Sequence, residues 1–446
     1  MRYRMEKIIR LIILFLTLLA ALGLSGCDGG GSSAPPPPTG ELNITIVDGT
    51  TANPQEGIAE IRVILLDAES EPLQTYITDA NGIVSQSELL IGDYQLKISA
   101  QGYNSSPPPR VPPLPVKIYT NQTTDVTIEL FPIDPNLIVG AISGKIISGD
   151  NPVAGALVIA DGVQDSYTTI SAADGSYFLY NVEEGSTNVT AYIKGLNFPT
   201  LSPVIVTADT TTTDQDLVAS DVANGTISGN VQFVAGGTTQ TTDITLIDLV
   251  TREVIPNMRV YTDANNNYTM SGLPNGNFEI IASMLNDGNV IDPDEAVTQG
   301  DPLVIVTSGT ADPLTRSFKI TGAIAMDTPA TPVNNEVPVL TATPTFTWHS
   351  ESSYSSTSGF AIEVINESGE TVWGGFGGLD PVEGIPSVTV PGGTYTINYA
   401  GPALQSGRYY QLRIYAMKDD NDAILYPNGY KLISVTENLD GVFKVE

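Results

Sequence analysis

The chain has 446 residues and a formal net charge of −31, from 19 Lys and Arg against 50 Asp and Glu. Such acidity repels nucleic acid and anionic headgroups at close range, which argues against a nucleic-acid partner. One cysteine and one histidine in the whole chain leave disulfide scaffolds, histidine-based zinc sites and Ser-His-Asp triads almost nothing to stand on.

Residues 1–26 open with Arg2, Arg4, Lys7 and Arg10 against a single acid, Glu6, and run on as Leu, Ile, Phe, Ala and Gly. A basic segment followed by an apolar one is an export signal. It is short for a spanning helix, which needs about 20 apolar residues. The tetrapeptide Leu24-Ser25-Gly26-Cys27 resembles the lipobox of bacterial lipoprotein signal peptides. The resemblance implies cleavage before Cys27, a diacylglycerol on its sulfur and a further acyl chain, such as palmitate, on its new amino end. Two or three chains anchor stably, because each buried methylene contributes about 0.8 kcal/mol.

Removing residues 1–26, which carry +4 and −1, leaves a mature chain of about −34. Its expected place is outside the cytoplasm, lipid-anchored to the bacterial cell membrane or outer membrane, with Asp28 leaving the choice of membrane open. Residues 27–39 are then the acylated cysteine and a tether, flexible through Gly29 to Ser33 and stiffened by Pro35 to Pro38 at about 3 Å per residue.

From Gly40 onward short runs rich in Val, Ile, Thr and Tyr alternate with Gly, Asn, Asp and Pro, the pattern of an all-β chain. In Tyr94-Gln-Leu-Lys-Ile98 the alternation puts Tyr94, Leu96 and Ile98 on one face of a strand. Three stretches repeat one another: "TDANGIVSQSELLIGDYQL" from Thr78, "SAADGSYFLYNVEEGSTNV" from Ser171 and "TDANNNYTMSGLPNGNFEI" from Thr262, 93 and 91 residues apart. A period of about 90 residues means three copies of one domain. In each copy an Asp/Asn/Gly turn closes a hairpin, where positive φ is cheap only for Gly, Asn and Asp.

The second copy combines Gly140-Ala-Ile-Ser-Gly144, Pro152-Val-Ala-Gly155-Ala-Leu-Val158 and a Gly-x-Tyr at Gly175 to Tyr177. This is similar to the carboxypeptidase regulatory-like domain, which implies a small transthyretin-like β-sandwich with no peptidase activity of its own. The third copy keeps Leu273-Pro274-Asn-Gly276-Asn-Phe278 but has Asn266 for the first glycine and a long insertion around Thr238 to Pro256. The first has Leu90-Ile-Gly92-Asp-Tyr94 at the corresponding place. The expected boundaries are 40–133, 138–221 and 222–322.

Residues 336–446 read differently. Phe346 and Trp348, then Phe360 to Val364, and a late strand with Tyr410, Leu412, Ile414 and Ala416 on one face, resemble a fibronectin type III or immunoglobulin-like sandwich. Trp348 would be its core tryptophan, and Tyr409 or Tyr410 its late-strand tyrosine. Sandwiches strung through short linkers are expected to form a semi-rigid rod.

Candidate sites are few. Asp287, Asn289, Asp292 and Asp294 offer oxygen ligands for calcium in one short stretch, though not at EF-hand spacing. Trp373 and Phe376 form a candidate stacking platform for a polysaccharide, against the plainer reading that they cover a sandwich edge. His349 sits beside Trp348 with no partner motif. A hydrolase would need two acids about 5 to 9 Å apart on facing walls of a cleft, which small sandwiches in a row rarely provide. The sequence therefore favours a non-catalytic, lipid-anchored envelope protein, structural or adhesive, whose partner is an envelope protein or a polysaccharide. A carbohydrate-binding lipoprotein is the alternative.

Overall fold

A computed structural model of the protein describes residues 37–51, 56–109, 111–162, 166–233, 240–284, 288–291, 303–307, 309–311, 318–330, 337–349, 359–367, 369–377, 380–381, 394–419, 430–436 and 440–446. The regular structure in these residues is all β. No described helix is long and apolar enough to cross a membrane.

The first unit comprises β1 (Thr39–Asp48), β2 (Arg62–Asp67), β3 (Pro72–Ile77), β4 (Ile83–Leu90), β5 (Gly92–Ser99), β6 (Leu114–Ile118) and β7 (Thr123–Leu130). They form two sheets, ordered β4-β1-β7 and β3-β2-β5-β6. The pairing is antiparallel except for β1 with β7, which is parallel. The period-2 alternation of β1 turns Leu42, Ile44 and Ile46 inward, where they meet Val63 and Leu65 of β2 and Leu96 and Ile98 of β5.

The next two units repeat this order. In the second, Val139–Ser148 replaces β1, between Ser176–Glu183 and the short parallel strands Thr211–Thr212 and Leu217–Val218. Leu157–Asp161 replaces β2, between Ser166–Ile170 and Gly185–Tyr192, with Leu201–Val206 beyond. In the third, Gly225–Phe233 lies between Asn267–Leu273 and the parallel Phe318–Gly322. Its β2 counterpart, Asp243–Asp248, lies between Val254–Tyr261 and Gly276–Ser283.

The repeated hairpin turn is built alike in the first and third units. Asp79 Oδ1 accepts from the amides of Asn81 and Ile83, and Asp263 Oδ1 from those of Asn265 and Asn267. The residue at positive φ is Gly82 (76°), Gly175 (77°) and Asn266 (62°) in turn. The missing glycine of the third copy is thus replaced by the residue that best tolerates that conformation.

The units do not stand apart as a rod. A sheet with one solvated face alternates buried and exposed residues, yet Arg62 to Leu66, Leu157 to Ala160 and Ile244 to Asp248 are buried throughout. One face of each strand fills its own sandwich. The other meets a neighbouring unit: Ile64 and Leu66 of the first share an apolar cluster with Leu157, Ile159 and Ile170 of the second, which runs on into the core of the third. Polar contacts follow the same boundary. The Asn257 amide donates to Glu71 Oε2 (2.7 Å), and Arg259 Nη2 to the Glu69 carbonyl. The outer faces of the second sheets have become interior, so the three repeats make one body.

The last sandwich pairs Ala325–Thr328, Thr345–His349 and Thr394–Asn398 in one sheet. The other contains Val339–Leu340, Val442–Val445, Tyr409–Asp419, Gly359–Asn366 and Thr371–Gly374, with Tyr430–Val435 also on Tyr409–Asp419. The unit starts earlier than the expected residue 336, because Ala325–Thr328 is one of its strands and Ile324 and Met326 pack in its core. That strand is too short to show a periodicity. Trp348 is fully buried, edge-on to Phe360 with ring centroids 5.5 Å apart. Of the two late tyrosines it is Tyr410 that is buried, its hydroxyl accepting the Gln405 amide at 3.0 Å. Tyr409 is exposed beneath Lys444.

Candidate functional site

The expected site residues are dispersed. Cys27, Asp287, Asp292 and Asp294 lie outside the described residues. Asn289 is a strand residue that pairs with Gly322, and its side chain is buried. Among the described residues no group of three or more His, Cys, Asp and Glu is placed to hold a metal ion. His349 Nδ1 lies 3.0 Å from Asp327 Oδ1 at the half-exposed end of its strand. Trp373 is half-buried against the aromatic core, 4.9 Å from the Tyr399 ring and 6.4 Å from that of Phe346. Phe376 lies in a two-residue strand, Phe376–Gly377.

The structure instead places a cleft of about 290 Å³ where the three repeats meet. Its walls come from the loop after β5, including Tyr103 and Ser106, and from Thr168 and Tyr180 of the second unit. Thr251 and Glu253 of the third unit close it, and both belong to the insertion around Thr238 to Pro256.

Three devices hold the cleft in shape. A β-bulge between Leu179 and Val182 puts Asn181 at φ 56° and turns its amide across the boundary. Its Nδ2 donates to the carbonyls of Ala100 (3.0 Å) and Tyr103 (2.7 Å), and its Oδ1 accepts the Gly102 amide at 2.8 Å. A bulge re-aims a side chain in this way without breaking the sheet. Second, Lys97 of the first unit pairs with Glu253 of the third, whose Oε1 also accepts from Thr168 Oγ1 of the second at 3.2 Å. One carboxylate therefore ties all three repeats. Third, Arg62, only 3% exposed, donates through Nη2 to the carbonyls of Ile170 (2.9 Å) and Ser176 (3.3 Å) of the second unit. Burial lowers the pKa of its guanidinium, while Tyr180 and Asp174 favour the charge.

The next junction uses the same contact with a different result. Gly195, in the second unit's counterpart of the Gly102 loop, donates its amide to the carbonyl of Gly272 (2.8 Å), which occupies the bulge of the third unit at φ 79°. There Lys194 and Asn197 close directly on Pro256 and Asn275. The bulge residue stands four before the second turn glycine in every copy: Glu88 and Gly92, Asn181 and Gly185, Gly272 and Gly276. That spacing was the available sequence signal for it.

These features define a class, an all-β protein of tandem small sandwiches in which repeats share an interior. No family model matches the chain. A stretch of 187 residues, 42% of the chain, is 27% identical to chitinase ChiA of Flavobacterium johnsoniae and covers 11% of that protein, so the chain spans only about a tenth of its relative's length. Among solved structures, the Bacillus anthracis TIE protein is similar over 63% of this chain and 49% of its own, at 12% identity and TM-score 0.18. The Streptococcal ancillary pilin covers 63% of this chain and 98% of its own (11% identity, TM-score 0.20). BcpA, the major pilin subunit of Bacillus cereus, covers 64% and 99% (11%, 0.18).

Proposed function

We propose that the protein is a non-catalytic, lipid-anchored envelope protein, structural or adhesive, which presents a three-sandwich body and a terminal sandwich to an envelope partner. The observation that carries this reading is the mutual burial of the repeats' second sheets. The charged groups gathered there, Lys97 with Glu253 and Arg259 with Asp243, pair with one another. These pairings hold a fixed shape, and Lys97 with Glu253 ties the first repeat to the third. The terminal sandwich corresponds best to a fibronectin type III-like domain, and the repeats to transthyretin-like ones, through the motifs from Gly140 to Tyr177 and the Trp348 and Tyr410 positions.

The anchor rests on Leu24 to Cys27 and the basic flank. In cells fed an alkyne-tagged fatty acid, the wild-type chain takes the label and sediments with membranes, and Cys27→Ala does neither. Equal labelling of the two chains would remove the anchor from this reading. The structural role predicts that extracts of the producing envelope retain the purified full chain while it turns over no polysaccharide or peptide. Turnover would overturn it.

Glycan binding is the second reading. Two things favour it: the tyrosine-walled cleft at the three-unit junction, and the 27% identity of part of the chain to a protein named as a chitinase.

A further inference from the structure

We infer that the cleft at the three-unit junction is the glycan site, and that its ligand is a neutral, polyhydroxylated sugar end. This inference rests on the glycan reading and gives it a location different from Trp373. The single lysine of the lining, Lys97, is already paired with Glu253. Among the described residues of the lining no uncommitted cation is left for a phosphate or carboxylate, and the chain's charge of −31 repels an anionic ligand further. The lining combines two aromatic residues, Tyr103 and Tyr180, with the hydroxyl-bearing Ser106 and Thr168, the Thr168 hydroxyl donating to Glu253 and keeping its acceptor lone pairs. Sugars present the same mixture, C–H faces that pack on aromatic rings and a rim of hydroxyls that both donate and accept.

Size points the same way. A volume of about 290 Å³ stands at the small end of ligand pockets, roughly 300–1,000 Å³. A folded protein partner would need about 800 Å² of surface on each side. The cleft is also pre-formed: Asn181 and Glu253 fix the three units around it, so little ordering cost is left for binding.

The test is calorimetric titration of the detergent-solubilised full chain with chitotetraose, cellotetraose and maltotetraose. A galacturonate tetramer and a decaproline peptide run alongside. One neutral tetrasaccharide should bind saturably. Tyr180→Ala should weaken its Kd about fivefold or more through loss of ring contact. Thr168→Val, which keeps the side-chain volume, should also weaken it, and Trp373→Phe should leave it unchanged. Binding that survives Tyr180→Ala and Thr168→Val but falls in Trp373→Phe would overturn the cleft while sparing the glycan reading. Absence of binding to every neutral sugar would overturn both, and binding of the galacturonate or the peptide alone would overturn the ligand class.

Discussion

The last sandwich and the three repeats solve the same problem of burial in opposite ways. The last encloses Phe346, Trp348, Phe360, Tyr410 and Phe443 between its own two sheets. The first two repeats fill theirs mainly with Val, Ile, Leu and Ala. They then bury a second face of their β2-type strands against a neighbour. Large aromatic side chains remove 150–250 Å² each from water, so one sandwich can be sufficient to itself. Smaller side chains bury less apiece, and the repeats gain the remainder by sharing an interior.

The contrast breaks most visibly in the last unit. Trp348→Ala should cost about 3–5 kcal/mol and lower only that sandwich's transition in scanning calorimetry. If the transition of the repeats falls with it, the two regions are not independent. In the repeats, Ile64→Ala should cost about 2–4 kcal/mol and shift the melting of all three units together. Movement of the first unit alone would show that the shared face is not cooperative.

A smaller effect sharpens the junction itself. Asn181→Ala leaves the Gly102 amide and the Tyr103 carbonyl without their partner, leaves the Ala100 carbonyl only the Tyr103 amide at 3.4 Å, and places a Cβ-bearing residue without a local hydrogen bond at positive φ. It should cost about 1–3 kcal/mol. Asn181→Gly relieves the backbone term and should cost less in the same denaturant titration. Equal losses would mean that the backbone conformation is not part of the device.

The smallest effect concerns Asp161, whose pKa is raised by burial first and by Asp248 of the third unit second. A carboxyl with a folded pKa above its unfolded one loses stability as pH rises from the ordinary aspartate range through the folded value. Asp161→Asn should therefore raise the melting temperature slightly at pH 7. The gain should vanish once pH falls below the ordinary aspartate range, where both chains are neutral at this position. A gain that persists there would assign the effect to packing.

Much of the architecture could be read from spacing. The 93- and 91-residue periods located three copies, and alternation named the inward face of β5, with Leu96 and Ile98. Asn266 in place of a glycine was readable too, since turn chemistry is local. The cleft was not readable. Lys97 and Glu253 are 156 residues apart, and the insertion that carries Glu253 shows in the sequence only as extra length. Trp373 drew attention as an aromatic beside glycines, but its setting against Phe346 and Tyr399 depends on a partner sheet.

By itself the sequence determined what short-range chemistry controls: strands from their period of two, hairpins from Asp, Asn and Gly, and the expectation of a lipid anchor from Leu24 to Cys27. Tertiary structure alone decided which faces stayed wet. Ile64, Leu66, Leu157 and Ile159 have the hydrophobicity of any strand core, and no local rule says whether their second face meets solvent or another sandwich. The apolar area removed by packing the repeats together decides it, a non-directional force that acts between segments far apart in the chain.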